Sequence, residues 1–286
     1  MGFKLKSILL ILSSVVIIYI VIFTFFLVQY RNSAFKEAEK KIDAYGKEHV
    51  NSMKADFNIA LGITRALAFS YLSSDSLREE DRFKYFTGML EQIFKNTSGY
   101  ATAWSTFQFN GFLDNYDKEY GRAYVGSYKM NGKVTTSMIK ANLDGTKKDP
   151  NYDEVKNNPR EFASPPYLYS LTMDGNNMIL VTSIMTPIMK NGKFCGLAGL
   201  DVTLDKYEEI IKKIKPYEKS IAYLVSGDGQ FVAHPEKDKV GKNLKDVYKE
   251  LEAKNNIMER TTDGEPFSFS IRILVGKIII HASRLK

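Results

Sequence analysis

Residues 178–203 read MILVTSIMTPIMKNGKFCGLAGLDVT. Two apolar runs flank Lys190-Asn191-Gly192-Lys193. Asn and Gly both tolerate the positive φ of a type I′ turn, so the stretch predicts an antiparallel hairpin. Pro187 has no N–H to give to a ladder and limits its strand to an edge or a bulge. The second strand carries Gly196, Gly199, the chain's one cysteine and, at the end of its apolar run, Asp201. Cys195 in such a strand reads as a small buried hydrophobe. After it, LDKYEEIIKKIK (204–215) places Leu204, Tyr207, Ile210, Ile211 and Ile214 on one helical face. Asp201 therefore has two readings. It is either a carboxylate bonding amides where the helix starts at Leu204, with Thr203 as N-cap, or a group that pairs with a ligand ammonium.

Working outward, GYATAWSTFQFNG (99–111) has the aromatic and Thr/Ser content of a strand, and NGKVTTSMIK (131–140) reads as a turn into another. SIAYLVSGDGQFVAHP (220–235) reads as strand, Gly-Asp-Gly turn, strand. Upstream, Phe35, Ala38, Ile42, Tyr45, His49, Met53, Phe57, Ala60, Thr64 and Leu67 recur in steps of three and four and define one helix face. About 40 residues at 1.5 Å each make a rod of roughly 60 Å, a stalk rather than an ordinary globular helix. A second helix follows over 73–96, with Ser76 as N-cap and Glu79 completing a capping box. The order is helix, antiparallel hairpins, helix, hairpin, which predicts two α+β modules in tandem.

The stalk continues an uncharged run. Residues 7–30, SILLILSSVVIIYIVIFTFFLVQY, exceed the ~20 apolar residues that cross a bilayer as a helix. A cleaved signal peptide has a shorter apolar core and small residues before its cut, so the length favours an uncleaved anchor. Lys4 and Lys6 on the short side place the N-terminus in and the bulk of the chain outside.

The net charge of +7 is dispersed, with no basic stripe interleaved with stacking aromatics, so nucleic acid is not a predicted partner. A single cysteine excludes an intrachain disulfide and a cysteine-based zinc site. No Gly-x-Ser-x-Gly, His-Glu-x-x-His or phosphate loop occurs, and Ser183 and His234 have no sequence reason to meet. The expectation is a protein that is not an enzyme and needs no cofactor or metal. His234, before Pro235, reads as a turn-ordering residue.

An N-terminal anchor, a long stalk helix and two PAS-like modules together resemble the double Cache (dCache) extracytoplasmic sensor domain of bacterial methyl-accepting chemotaxis receptors, which also occurs in histidine kinases and cyclases. Three stretches carry the resemblance: NYDEVKNNPREFASPPYLY (151–169), the hairpin ending in Gly196-x-x-Gly199-x-Asp201, and GDGQFVAHPEKDKVGKNLKDV (227–247). The resemblance implies an α+β fold divided into a cytoplasmic tail (1–6), a transmembrane helix (7–30), a stalk (31–71), a membrane-distal ligand-binding module (72–215) and a membrane-proximal module (216–286). It implies a single-pass protein of the bacterial inner membrane that senses a small molecule outside the cell and pairs with a second copy through the stalk. The same input could serve a histidine kinase or cyclase, or a binding protein that does not signal.

In the amino-acid-binding branch of that family an Arg and a Trp–Tyr pair reach the ligand carboxylate, while a Tyr and the signature Asp meet its amine. Tyr152, Tyr167 and Asp201 match; the Arg and Trp positions are Asp149 and Asn151. Arg122 could supply a guanidinium from another loop, or Asp149 and Asp201 together could suit a cationic ligand. Trp104 and Tyr124 are further candidates, each with a rival reading as a core aromatic. The ligand class implied is an amine, an amino-acid derivative or a similar polar metabolite. The apolar run within 267–286 is about ten residues and too short to span. The expectation is a truncated or split receptor whose second module is incomplete, lacks its closing strands and is poorly ordered after about residue 260.

Overall fold

The computed structural model describes residues 2–130, 132–170, 178–215, 218, 221–226, 229–250, 267–274 and 277–284, the last two stretches as backbone. One helix, α1 (Phe3–Leu72), runs for 70 residues without a break, roughly 105 Å. Its Lys6–Ala38 segment is long and apolar enough to cross a membrane and buries none of its surface against the rest of the chain. The expected stalk is thus the same helix as the expected span. Its packed face begins later than the periodicity predicts. Phe35 and Tyr45 are exposed, and the buried stripe is Gly46, Val50, Met53, Phe57, Ala60, Leu61, Thr64, Leu67, Ala68 and Tyr71. The 3.6-residue period sets a face but not what covers it.

After a 3-10 turn (Ser73–Ser76), helix α2 (Glu79–Asn96) buries Phe86, Leu90 and Phe94 at steps of four. The expected capping box does not form. Ser76 Oγ donates to the Ser73 carbonyl at 2.9 Å, and Arg78, with no side-chain cap, precedes the helix. Glu79 instead accepts the Asp114 N–H at 2.6 Å. Three acids, Glu79, Glu80 and Asp81, complement the dipole of the first turn.

The first sheet is built from β1 (Tyr100–Gln108), β2 (Arg122–Met130), β3 (Lys133–Ala141), β4 (Phe162–Ala163), β5 (Tyr167–Ser170), β6 (Met178–Lys190) and β7 (Lys193–Thr203). Its order is β3-β2-β1-β7-β6-β4, with β5 also on β6. Short helices α3 (Phe109–Phe112) and α4 (Pro150–Asn157) sit in the connections. The predicted β6–β7 hairpin is present: Asn191 and Gly192 hold φ of 51° and 77°, the double positive φ of a type I′ turn. Pro187 lies inside β6, opposite Leu197, in a strand flanked by the short β4 and β5. Helices α1 and α2 cover one face of this sheet, α1 on β6 and β7, α2 on β1, β2 and β3. Phe86 and Phe107 stack there at 4.2 Å, with Tyr71 and Phe112 edge-on to both.

Helix α5 (Asp205–Lys213) buries Tyr207 and Ile211 and leads to the second sheet. That sheet comprises β8 (Ile221–Val225), β9 (Phe231–Ala233), β10 (Phe267–Leu274) and β11 (Lys277–Arg284), in the order β10-β11-β8-β9, with β11 parallel to β8. Two strands therefore do follow residue 260, where the sequence reading expected none. The short helix α6 (Leu244–Val247) packs beside Tyr223 and Val225 of β8 and Phe231 of β9. His234 orders its turn as expected. Its Nδ1 accepts the Glu236 N–H at 2.9 Å, its Nε2 lies 3.0 Å from the Tyr248 hydroxyl, and its ring stacks on Tyr223. Asn131, residues 171–177 and Gly227-Asp228 lie outside the described residues.

Gly196 illustrates how closely β7 approaches β1. A Cβ at that position would fall 2.0 Å from the Thr106 carbonyl oxygen. Gly196→Ala is expected to destabilise the full chain by about 1–3 kcal/mol, the usual cost of overpacking. Gly62→Ala, on the open side of α1 with nothing within 4 Å, is expected to stabilise it by about 0.5–1 kcal/mol. Thermal denaturation followed by circular dichroism reads both.

Candidate functional site

Side chains alternate along a strand, so β1 presents Thr102, Trp104, Thr106 and Gln108 on the face away from α1 and α2. Register brings Asp201 of β7 beside Thr102 on one side and beside Ser183 of β6 on the other. Three polar residues thus stand in one row across three strands. Thr102 Oγ1 donates to Asp201 Oδ2. Ser183 Oγ donates to Oδ1 at 2.6 Å, and Trp104, two residues along β1, brings its indole N–H to the same oxygen at 2.9 Å. The Tyr167 hydroxyl lies 2.7 Å from Ser183 Oγ and 3.5 Å from Asp201 Oδ1.

The Gly-x-x-Gly-x-Asp spacing acquires a physical reason from this geometry. Gly196 lets β7 meet the Thr106 carbonyl. Gly199 stands opposite Trp104, and a Cβ there would fall 2.4 Å from the indole ring. Gly126 flanks Trp104 on β2, and its missing Cβ makes room for the Tyr124 ring. Trp104 therefore lies in a trough between two glycines, stacked beside Tyr124 with centroids 6.2 Å apart and planes 21° apart. Asp201 receives its N–H.

Asp201 is 1% exposed. The four groups among the described residues that reach its carboxylate are all neutral. Burial raises its pKa above the ordinary carboxylate value, and the hydrogen bonds from Ser183, Thr102, Trp104 and Tyr167 oppose that rise. Its charge extends to three phenols. Tyr124, Tyr167 and Tyr169 all have raised pKa values, first from burial and then in part from Asp201. Asp201 is not a helix-start residue. Helix α5 begins at Asp205 after Leu204, which has no side-chain cap, and neither Thr203 nor Asp201 serves as one. Leu204 is 2% exposed and its N–H donates to the Leu180 carbonyl at 3.1 Å, so packing fixes the entry without a cap.

The structure gathers Asp201, Tyr167, Trp104 and Tyr124 and sets Arg122 and Asp149 apart. Arg122 pairs with Gln108 in register, six residues and roughly 20 Å along β1 from Thr102. It is 5% exposed, not a surface residue. Its Nη2 lies 3.0 Å from Asp149 Oδ2 and its guanidinium sits 3.9 Å over the Tyr152 ring. Asp149 is also the N-cap of α4, accepting the Tyr152 N–H. Arg122, Asp149 and Tyr152 thus form one balanced unit. Tyr152 joins the site through an apolar cluster with Trp104, Leu197 and Met185.

Thr102, Ser183 and Tyr169 are the site's neighbours that sequence reasoning missed. The spacings Thr102-x-Trp104 and Tyr167-x-Tyr169 were the available signal, since period two puts each pair on one face. The opposite faces of the same strands meet the stalk. Ser105 bonds Tyr71 of α1 at 2.8 Å, and Thr186 bonds Thr64 at 2.8 Å, all four buried.

A model of the Cache domain (dCache_1) matches residues 37–272. The chain belongs to the Cache domain family. This Cache chain is 36% identical over 101 residues to the methyl-accepting chemotaxis protein McpA of Pseudomonas putida, a match covering 34% of the chain and 16% of McpA. It is 41% identical over 69 residues to the methyl-accepting chemotaxis protein PctB of Pseudomonas aeruginosa, covering 24% of the chain and 11% of PctB. The matches therefore span only a small part of those receptors. Among solved structures it is similar to the extracellular domain of a proposed histidine kinase, mmHK1S-Z2, at 25% identity and a TM-score of 0.61, covering 85% of this chain and 89% of that one. The periplasmic sensory domain of the Campylobacter jejuni chemoreceptor Tlp1 shares the fold at 15% identity and a TM-score of 0.55, covering 78% and 80%.

Removing the Asp201 charge tests its role without emptying the site. In Asp201→Asn the amide oxygen still accepts from Trp104 and Ser183, and the amide N–H can donate to the Thr102 hydroxyl. Because the folded pKa is raised, the folded state binds this proton more tightly than the unfolded chain. Stability therefore falls as pH rises from the ordinary carboxylate value through the raised one. Asp201→Asn is expected to melt at or above the wild type at pH 7, with the gap closing as pH falls toward about 4. A purely structural carboxylate would give a lower Tm at neutral pH.

Proposed function

We propose that this protein is the membrane-anchored, extracytoplasmic sensing part of a chemotaxis receptor, and that its distal module takes a small cationic organic ligand at Asp201. The observation that carries this reading is a buried carboxylate contacted, among the described residues, only by neutral donors and ringed by aromatic side chains. Such a group favours a cation as its missing partner. The Arg122 guanidinium, balanced by Asp149 and standing roughly 20 Å along β1, argues against an α-carboxylate as the second half of the ligand. The chain would be a single-pass protein of the bacterial cell membrane, with Lys6–Ala38 as its span and its bulk outside.

The route of the signal follows the strands. A ligand that pulls on Thr102, Trp104 or Ser183 displaces β1 and β6, whose other faces bond Tyr71 and Thr64 of the stalk. The stalk's outward face, Ala55, Ile59, Gly62, Ala66 and Phe69, is exposed at heptad spacing and is the surface through which a second copy would pair. A second reading keeps the same input and couples it to a histidine kinase, favoured by the likeness to mmHK1S-Z2 over 85% of the chain.

Thermal shift of the full chain in lipid nanodiscs tests the ligand reading. Ammonium compounds from methylamine to choline are compared with acetate and succinate. At a hundred times its Kd a ligand stabilises the folded form by about 2.7 kcal/mol. Stabilisation by an ammonium compound, lost in Asp201→Asn, is the expected result. Stabilisation by the anions alone would sink the reading.

A further inference from the structure

The acceptor capacity of Asp201 narrows the ligand further, given the cation reading above. An ionised carboxylate offers about four lone-pair positions. Here Thr102 takes one on Oδ2, while Trp104 at 2.9 Å and Ser183 at 2.6 Å take two on Oδ1, with the Tyr167 hydroxyl close behind at 3.5 Å. With those positions taken, the carboxylate has little room left to accept hydrogen bonds. A primary ammonium arrives with three N–H donors that all need acceptors once they leave water. A quaternary ammonium has none. It asks only for negative charge and for the electron-rich faces of aromatic rings.

Both are present. Trp104 and Tyr124 form a near-parallel pair at 6.2 Å, and Tyr167 and Tyr169 a perpendicular pair at 6.5 Å. Tyr124, Tyr167 and Tyr169 each lie close enough to Asp201 to feel its charge. Trp104, the strongest cation–π partner among side chains, is held in place by its own hydrogen bond to that carboxylate. We propose that the Asp201 site selects a quaternary or fully methylated ammonium over a primary one. The selection follows from a carboxylate whose acceptor positions are mostly taken by the protein, set among four aromatic side chains.

Choline and ethanolamine differ only by three methyl groups on nitrogen and make a matched pair of probes. Isothermal titration of the full chain in nanodiscs is expected to give choline at least about tenfold tighter binding, the size of a modest cation–π difference. Tyr124→Leu should remove most of that preference. Ser183→Ala returns one acceptor position to Asp201 and should narrow the ratio by improving ethanolamine. Equal or tighter ethanolamine binding by the wild type would overturn the methyl selection and leave the cation reading standing. Binding of neither compound by a sample that melts cooperatively would overturn both.

Discussion

A carboxylate taken out of water must be satisfied by something, and the distal module is arranged around how Asp201 is satisfied. Desolvating a charge costs several kcal/mol, and neutral donors recover only part of it. Thr102, Ser183 and Trp104 supply that part from three strands, so the register of β1, β7 and β6 is fixed by polar contacts as well as by the turn at Asn191-Gly192. A one-residue slip of β7 would point Asp201 into the face covered by α1 and α2 and turn Leu200 outward. The same carboxylate that a ligand would answer is thus a device that specifies the sheet.

The two-residue period then joins the site to the membrane. On β1, Thr102 and Trp104 face the site while Ser105 faces Tyr71; on β6, Ser183 faces the site while Thr186 faces Thr64. The thickness of one sheet thus separates the Asp201 site from α1. Both stalk contacts are buried side-chain hydrogen bonds, which cost about 1–3 kcal/mol when one partner is left alone. Contacts of that worth resist sliding and transmit small displacements better than a purely apolar surface, which can repack.

Much of this was legible in the sequence because it depends on local chemistry. The uncharged run, the Asn-Gly hairpin and the α5 face are each written in a window of a few residues, and the three motif stretches in order pointed to the family. What was not legible depends on partners distant in sequence. Ser183 is 18 residues from Asp201 and Thr102 is 99 residues away, and only strand register makes the three adjacent. Arg122 reads in the sequence as a guanidinium for the ligand because its partners Asp149 and Tyr152 are supplied by a later helix. The Ser76 and Thr203 caps were reasonable locally and lost to tertiary packing, which set the entries to α2 and α5 by other contacts. The stalk periodicity was right in phase but wrong in extent, since it begins at the exposed Phe35 while the first buried residue described on that face is Gly46.

That difference in extent matters for how α1 works. None of the apolar window within Lys6–Ala38 is buried against the chain, whereas from Gly46 to Tyr71 the helix carries a buried stripe on one side. A rod gripped at one end delivers rotation or tilt at its grip to its far end, because a continuous α-helix curves only gently. Gly46 and Gly62 lower its local propensity but introduce no break in the hydrogen-bond ladder. A movement of about 1 Å at Thr64 or Tyr71, of the kind that interface helices make in receptors that switch, therefore reaches the membrane segment with little loss. The geometry thus favours a mechanical input carried by one stiff element.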